Sequence, residues 1–207
     1  MMARVDLRVP YRDKDDAKRL GARWDAVSRL WYVPGDLDPA RFERWRPTDS
    51  PPNVRGPSYF IAASTRRCWR CTATSRVHGF ILPAGHETLD GCAESDTAGW
   101  EPGAEPTLLS YLDWLAPEVA ARIMALTPHY RVACSKVTRS FHWMNLCEHC
   151  GAQLGDHETY GEPGQGFLAF TLEQARRISL AHVAAPFAAS CGSYTIGVTL
   201  FGKMRRL

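Results

Sequence analysis

Several features that mark other protein classes are missing from this sequence. No apolar run approaches the roughly 20 residues that a membrane-spanning helix needs. The start, Met1 to Asp6, lacks the apolar core of a secretory signal. Phosphate-binding loops, Ser-x-x-Lys pairs and the His-Glu-x-x-His zinc motif are also absent. We therefore expect a cytoplasmic protein without membrane contact or organic cofactor, and no motif marks it as an enzyme.

A large excess of one charge is missing as well. The net charge is +3, and hydrophobic and charged residues make up 45% and 23% of the chain, as in ordinary globular proteins. Residues 1–47 carry 11 Lys and Arg against 8 Asp and Glu, whereas residues 48–207 carry 14 of each. Electrostatic attraction for nucleic acid should therefore lie in the first segment.

Cysteine, in contrast, is well represented, and its spacing is informative. Four of the seven cysteines form two Cys-x-x-Cys pairs, at 68–71 and 147–150. In a chain that is not exported, such pairs favour metal binding over disulfides. Each pair follows a strand-like segment, and Gly151 comes directly after the second pair, where a tight turn often needs positive φ. We predict one structural zinc ion held by Cys68, Cys71, Cys147 and Cys150.

The separation of the two pairs predicts a split zinc ribbon. The 75 residues between Cys71 and Cys147 far exceed the roughly 15–20 of a simple ribbon. The ribbon should therefore carry an insertion at 72–146. Two alternatives stay open, a redox dithiol at one pair and a set of unrelated buried cysteines. Arg66, Arg67 and Arg70 flank the first pair, where they can offset thiolate charge or contact phosphate.

Composition divides the chain into two domains. Residues 48–57 are rich in Pro and Gly and predict a linker. A small αβ module is expected over 1–47, and a zinc-ribbon domain over 58–207. The predicted fold class is α+β, with an antiparallel sheet built on the split ribbon.

Apolar spacing and end signals predict individual elements. A helix is expected over residues 14–20, because Asp13 is a suitable N-cap and Gly21 a suitable stop. Asp38 and Pro39 should open another short helix. Four later segments are predicted to be helix, helix, strand and helix, in the order 108–115, 117–126, 130–144 and 171–183.

Aromatic residues in the first segment have two interpretations. Trp24, Trp31, Tyr32 and Trp45 can form its small core, because a unit of this size needs large apolar side chains. Alternatively, the tryptophans lie on the surface and stack on nucleic-acid bases between cationic side chains. The candidate nucleic-acid contacts are then Lys18, Arg23, Trp24, Arg29 and Trp31.

Two stretches resemble known families. The run Ala17–Asp25, read as Ala-Lys-Arg-Leu-Gly-Ala-Arg-Trp-Asp, is specific, and with its flanks it covers residues 4–47. It resembles the uncharacterised domain of about 50 residues that is appended to bacterial plasmid primases, relaxases and conjugation-linked proteins. That resemblance implies a nucleic-acid setting by association. Residues 130–167 are similar to uncharacterised bacterial zinc-ribbon proteins, which imply no function.

Three functions from different classes follow from these features. The first is a non-enzymatic binding module for nucleic acid or protein in a plasmid, phage or conjugation context. The second is a metal-dependent hydrolase or nuclease that uses Asp156, His157 and Glu158. The third is a protein–protein adaptor whose contact is the acidic loop 90–106, with Trp100 exposed. The sequence predicts neither the partner's identity nor the oligomeric state.

Overall fold

A computed structural model describes residues 5–26, 30–47, 51–89, 99–135, 137 and 140–207. The chain divides into two compact units, one made of residues 1–49 with 133–141 and the other of 50–132 with 142–207. Helices and strands occur in both, which confirms the predicted α+β class. No helix among the described residues is long and apolar enough to span a bilayer.

The first unit is a three-stranded antiparallel sheet with short helices. Its strands are β1 (Val5–Leu7), β2 (Arg23–Asp25) and β3 (Leu30–Val33), in the order β1-β3-β2. The helix α1 (Lys14–Arg19) connects β1 to β2, and 3-10 helices cover Tyr11–Asp13 and Pro39–Trp45. The helix predicted over residues 14–20 is confirmed as α1, and the short helix predicted to open at Asp38 and Pro39 is a 3-10 helix.

The core of this unit only partly matches the predicted aromatic set. Trp45 is buried together with Phe42 and five aliphatic residues. Trp24 is 50% exposed, and Trp31 and Tyr32 are partly buried. Of the two interpretations left open for Trp24, core or surface, the structure therefore favours the surface. The reason is its place on β2, which among the described strands has a neighbour on one side only.

Two of the predicted helix signals hold and one fails. The Asp38 side chain accepts a hydrogen bond from Ala40 N at 3.0 Å, as an N-cap does, and Gly21 has φ of +102°. Asp13 makes no capping hydrogen bond with its side chain. Its carboxylate accepts instead from Trp45 Nε1 at 3.0 Å, so this residue ties α1 to the 3-10 helix.

The second unit is built on a nine-stranded sheet and also contains most of a smaller, three-stranded one. The remaining strands are β4 (Val54–Gly56), β5 (Tyr59–Arg67), β6 (Thr74–Leu82), β7 (Glu87–Leu89), β8 (Trp100–Pro102), β9 (Thr107–Leu115), β10 (Tyr130–Cys134), β11 (Phe141–Leu146), β12 (Gln153–Leu154), β13 (Ser179–Val183), β14 (Phe187–Ile196) and β15 (Arg205–Arg206). The remaining helices are α2 (Pro117–Leu126), α3 (Asp156–Gly161) and α4 (Leu172–Arg177), and a further 3-10 helix covers Phe201–Lys203.

The large sheet has the order β15-β13-β5-β6-β9-β14-β4-β7-β8. All its described pairings are antiparallel except that of β13 with β15. The small sheet has the order β10-β11-β12. The predicted antiparallel architecture is therefore confirmed.

Four sequence-based assignments change in this unit. Residues 108–115 lie in β9 and not in a helix, and residues 171–183 divide into α4 and β13. The predicted single strand 130–144 is two strands, β10 and β11. Within the predicted linker, Val54–Gly56 forms β4 of the large sheet. The helix predicted over 117–126 is confirmed as α2.

The strand β6 is buried on both of its faces. Phe80 and Leu82 belong to one apolar cluster, while Val77 and Ile81 belong to another. Because successive side chains of a strand point to opposite faces, the sheet is covered on both sides here. The second cluster includes Cys68 and the cysteine that opens the second pair. The segment 72–146, predicted as an insertion, thus supplies central strands of the main sheet.

Candidate metal centre

Both cysteine pairs lie in hairpin turns of equal length. The first turn, residues 68–73, joins β5 to β6, where Arg67 pairs with Thr74. The second turn, residues 147–152, joins β11 to β12, where Leu146 pairs with Gln153. We call these six-residue turns the first and second knuckle. The sequence predicted the strand before each pair but not the strand after the second.

The backbone of the two knuckles follows one hydrogen-bond scheme. The amide of the leading cysteine donates to the carbonyl five residues later, from Cys68 N to Ala73 O at 2.9 Å and from Cys147 N to Ala152 O at 2.8 Å. Both leading cysteines are fully buried or nearly so. This bond closes each turn and fixes the leading sulfur on the inner side of the hairpin.

The fifth residue of each knuckle has positive φ. Gly151 has φ of +66° and Thr72 has φ of +61°. The amide of each donates to the carbonyl of its leading cysteine, at 2.9 and 3.0 Å. The prediction for Gly151 is confirmed. Thr72 occupies the same left-handed conformation at a cost, because a β-branched residue is strained there.

The two knuckles bring four sulfur atoms together. The Sγ atoms of Cys68, Cys71, Cys147 and Cys150 all lie within 4.8 Å of one another. Across the knuckles, the Sγ atoms are 3.7 Å apart for Cys68 and Cys150, and 3.6 Å apart for Cys71 and Cys147. Disulfides need about 2.05 Å, so these are free thiols. Among the described residues, this group of side chains can hold a metal ion.

The spacing of these sulfurs suits a tetrahedral ion. Four bonds of about 2.3 Å, the length of a zinc–thiolate bond, place the sulfurs of a tetrahedron about 3.8 Å apart. The cross-knuckle distances of 3.6 and 3.7 Å agree with that value. Four cysteine ligands also leave no open coordination position, which is the pattern of a structural and not a catalytic site.

The pKa of each leading cysteine is lowered. Burial raises the pKa of Cys68, but hydrogen bonds from the amides of Cys71 and Arg70 and from neighbouring thiols outweigh it and lower the pKa to about 6. Burial also raises the pKa of Cys147, but hydrogen bonds from the amides of Cys150 and His149 outweigh it and lower the pKa. A lowered pKa favours the thiolate, which is the form that binds metal.

Side chains of each knuckle also bond to the chain just after the other knuckle. Trp69 Nε1 donates to Gln153 O at 2.8 Å, and His149 Nε2 lies 3.0 Å from Thr74 O. Both carbonyls belong to the sixth residue after a leading cysteine. These reciprocal bonds hold the two hairpins in register even apart from a shared ion.

A second reciprocal pair lies two residues before each leading cysteine. Arg66 is buried, and its guanidinium donates to Thr159 Oγ1 at 2.9 Å and pairs with Glu158. Asn145 is buried as well, and its amide bonds to both the N and O atoms of His78, at 2.7 and 2.9 Å. A carboxylate from α3 engages Arg66, so the proposed role of Arg66 in offsetting thiolate charge stays a prediction.

The structure describes four of the five predicted nucleic-acid contacts, and two of these four point to opposite faces of the sheet. Trp24 and Trp31 are cross-strand neighbours with ring centroids 5.7 Å apart. Arg23 pairs with Tyr32, so the alternation of side chains places it on the opposite face of the sheet. Lys18 is exposed on α1. The fifth candidate, Arg29, lies outside the described residues.

The predicted hydrolase residues do not assemble into a metal site. Asp156 is buried, and its Oδ2 accepts from Tyr111 N at 2.7 Å. His157 is exposed, with its Nδ1 3.9 Å from a Glu162 oxygen. Glu158 pairs with the buried arginine described above. Each of the three therefore has a separate environment, and the hydrolase hypothesis gains no support.

The acidic loop is only partly described. Residues 90–98 lie outside the described part of the chain, whereas Trp100 to Pro102 form β8 and pair with β7. The Arg55 guanidinium lies 4.1 Å from the centre of the Trp100 ring. Trp100 is therefore half-buried under a cation, and the prediction that it is an exposed contact residue is wrong.

The first segment matches a known family. Residues 4–47 fit the family described as "Domain of unknown function (DUF5710)". The predicted resemblance of this segment to the domain carried by plasmid primases is thereby confirmed. The match ends before the larger unit, and the resemblance of residues 130–167 to zinc-ribbon proteins stays a prediction.

Two curated relatives share a short stretch with this chain. One is a DNA primase TraC of Escherichia coli, 55% identical over 42 residues, which are 20% of this chain and 4% of the primase. A second DNA primase TraC of Escherichia coli is 54% identical over 39 residues, which are 19% of this chain and 3% of the primase. The chain thus aligns with a small fraction of these relatives' length. No solved structure matches the chain significantly.

Proposed function

We propose that this protein is a non-enzymatic, zinc-stabilised binding protein for nucleic acid in a plasmid, phage or conjugation context. The observation that supports the zinc part is the set of four cysteine sulfurs within 4.8 Å of one another. Thiolate ligands in a tetrahedral arrangement suit zinc. Bound zinc supplies folding free energy of about 10 kcal/mol or more, which is comparable to the stability of a whole domain.

The protein's own residues prepare the site for an ion. The amides after each leading cysteine direct their N–H groups at its sulfur, as Arg70 N does at 3.4 Å from Cys68 Sγ. These donors compensate part of the negative charge that four thiolates bring together. The reciprocal bonds of Trp69 and His149 hold the two knuckles face to face. The site therefore fixes the β5–β6 hairpin of the large sheet relative to the β11–β12 hairpin of the small sheet.

The nucleic-acid part of the proposal has two supports. The first segment matches a domain family, and the curated relatives that align with this segment are named DNA primases. That name indicates a nucleic-acid setting for those relatives. Trp24 is half exposed and lies against Trp31, so aromatic surface is available for base stacking. The 11 Lys and Arg of residues 1–47 exceed the acidic residues of that segment.

The proposal is tested by metal analysis and by titration. Elemental analysis of freshly purified protein should give one zinc per chain, with four sulfur ligands by X-ray absorption. Anisotropy titrations at low salt, with single-stranded, duplex and junction DNA and with RNA, should show micromolar binding to at least one of them. Trp24→Ala should weaken it about tenfold. Protein without tightly held metal refutes the zinc part, and absence of binding to every probe refutes the nucleic-acid part.

A further inference from the structure

The two knuckles differ in charge. Residues 51–86, which include the first knuckle, contain five arginines and no Asp or Glu. Three of these arginines are exposed on the knuckle or beside it, namely Arg67, Arg70 and Arg76. The second knuckle carries Glu148 and His149 in its exposed positions. Cationic side chains are thus concentrated at one of two turns that share the same backbone.

Among the described residues, these three arginines have no carboxylate partner, whereas several other surface arginines do. Arg46 pairs with Glu43, and Arg55 pairs with Glu87. In the part of the chain that the structure describes, no carboxylate pairs with the guanidinium groups of the three knuckle arginines. Arg67 Nε donates to the carbonyl of Thr72, an uncharged partner. Their charge is therefore available to an anionic ligand.

The same turn presents a large aromatic ring. Trp69 is 65% exposed, although tryptophan is mostly buried in folded proteins. Its Nε1 atom is held by the bond to Gln153 O, so the ring is oriented by the second hairpin. A ring that is already fixed loses little conformational entropy when a ligand stacks on it. Glu148, the nearest acidic group of the second knuckle, accepts a bond from Arg76 N.

We propose that the first knuckle is a binding site for single-stranded nucleic acid. Trp69 stacks on a base, and Arg67, Arg70 and Arg76 contact the phosphates on either side. A lone ring can stack only on a base that is not enclosed in a duplex, so single strands are the ligand. This inference rests on the proposed function, and it adds a contact surface in the larger unit to that in the first segment.

The test uses the full-length, zinc-loaded protein and labelled oligothymidine and oligouridine of about 12 nucleotides. Trp69→Ala should weaken binding about tenfold, because it removes one stacked base. Trp69→Phe loses the bond to Gln153 but keeps a ring, and should retain most of the affinity. The double variant Arg70→Gln, Arg76→Gln should lower the salt dependence of log Kd by roughly 1.4. Comparison of the two oligonucleotides distinguishes DNA from RNA as the preferred source of the strand.

The matched control is Arg176→Gln, which removes an exposed arginine from α4 and should leave the affinity unchanged. Zinc content and thermal midpoint of each variant verify that the fold is intact. If the wild type binds but Trp69→Ala binds equally well while Trp24→Ala is weakened, the proposed function stands and this site is refuted. Equal affinity for duplex and single strand, or equal loss in the Phe and Ala variants, also overturns it. If the wild type binds no probe, the proposed function itself fails.

Discussion

The first and second knuckle have the same backbone conformation but differ in nearly every exposed side chain. Each has six residues, an amide-to-carbonyl bond across the turn and positive φ at the fifth position. Their inner positions are cysteines, and their outer positions are Trp and Arg in one knuckle and Glu and His in the other. The sulfur cluster thus constrains two positions of each turn, and the remaining positions are left to other roles.

The comparison extends beyond the turns to two buried side chains, Arg66 and Asn145, which we call the braces. Two residues before each leading cysteine stands a buried polar side chain, Arg66 in one hairpin and Asn145 in the other. Each bonds to the chain beyond the opposite knuckle, Arg66 to Thr159 of α3 and Asn145 to His78 of β6. Buried polar groups need such partners, so the equivalence of position carries an equivalent structural role.

The largest expected effect comes from the leading cysteines. Cys68→Ser and Cys147→Ser should each abolish tight zinc binding and lower the free energy of unfolding of the larger unit by about 10 kcal/mol, which is comparable to the whole stability of a domain. Circular dichroism and zinc content measure both effects. Cys134→Ser, outside the cluster, is the control and should retain zinc. A folded, zinc-containing form of one variant but not the other would contradict the equivalence of the knuckles.

The next effect concerns the residue nine positions past each leading cysteine. In the first hairpin this residue is buried Val77, and after the second knuckle it is buried Asp156. Burial raises the pKa of Asp156 to about 7, against the opposing bond from Tyr111 N. The unfolded value is about 3.9. Between about pH 4 and about pH 7, the Asp156 carboxyl is therefore protonated in the folded state and ionised in the unfolded state. The free energy of unfolding should fall by up to about 4 kcal/mol as pH rises through this range.

Asp156→Asn tests that pH dependence. The amide oxygen still accepts from Tyr111 N, but it carries no charge at any pH, so the variant should lose the decline and gain stability above pH of about 7. Urea unfolding at about pH 5.5 and about pH 8 measures the difference between the two proteins. Tyr111, Tyr130 and Tyr160 lie near, and burial raises the pKa of each, so all three stay neutral in this range. Parallel pH profiles of both proteins would contradict the prediction.

A smaller effect is expected at the braces. Asn145→Leu leaves the backbone groups of His78 without their side-chain partner and should cost about 2–3 kcal/mol. Arg66→Leu should cost about 1–2 kcal/mol, since half-exposed Glu158 can be hydrated once its partner is removed. Urea midpoints of the zinc-loaded variants test both. Arg67→Gln, beside Arg66 but exposed, should change stability by less than about 0.5 kcal/mol. No loss in either brace variant would show that the sulfur site alone holds the hairpins.

The smallest expected change in stability concerns the fifth residue of each knuckle. Thr72→Gly relieves a left-handed conformation and should stabilise by about 0.5 kcal/mol, since the gain is reduced by the greater freedom of glycine in the unfolded chain. Gly151→Ala should destabilise by about 1 kcal/mol for the converse reason. Thermal midpoints of the zinc-loaded proteins measure both. Shifts of the same sign would contradict the equivalence of these positions.

The four clustered cysteines could be predicted from the sequence because the Cys-x-x-Cys spacing is a local pattern. Two cysteines at the spacing of one turn and the glycine after Cys150 are visible without a fold. The braces are not visible in this way, because Arg66 and Asn145 acquire their roles only through partners 67 to 93 residues away in the chain. No pattern around Arg66 distinguished the carboxylate of α3 from the thiolates as its partner.

The same distinction explains the failures in secondary structure. Residues 108–115 have apolar side chains at helical spacing, but β9 pairs with β6 and β14 on its two sides, and burial on both faces makes the apolar run continuous. The sequence left open whether Trp24 lies in the core or on the surface. Its exposure follows from the edge position of β2, which depends on strand order.

Short-range spacing and composition were enough to establish the α+β class, the family resemblance of the first segment and the identity of the four clustered cysteines. Three further properties came only from the folded chain: the meeting of the sulfurs, the strand neighbours of each knuckle and, within the described residues, the arginines at the first knuckle that have no carboxylate partner. Those properties depend on contacts between residues far apart in the chain, whose geometry is set by the packing of the whole sheet.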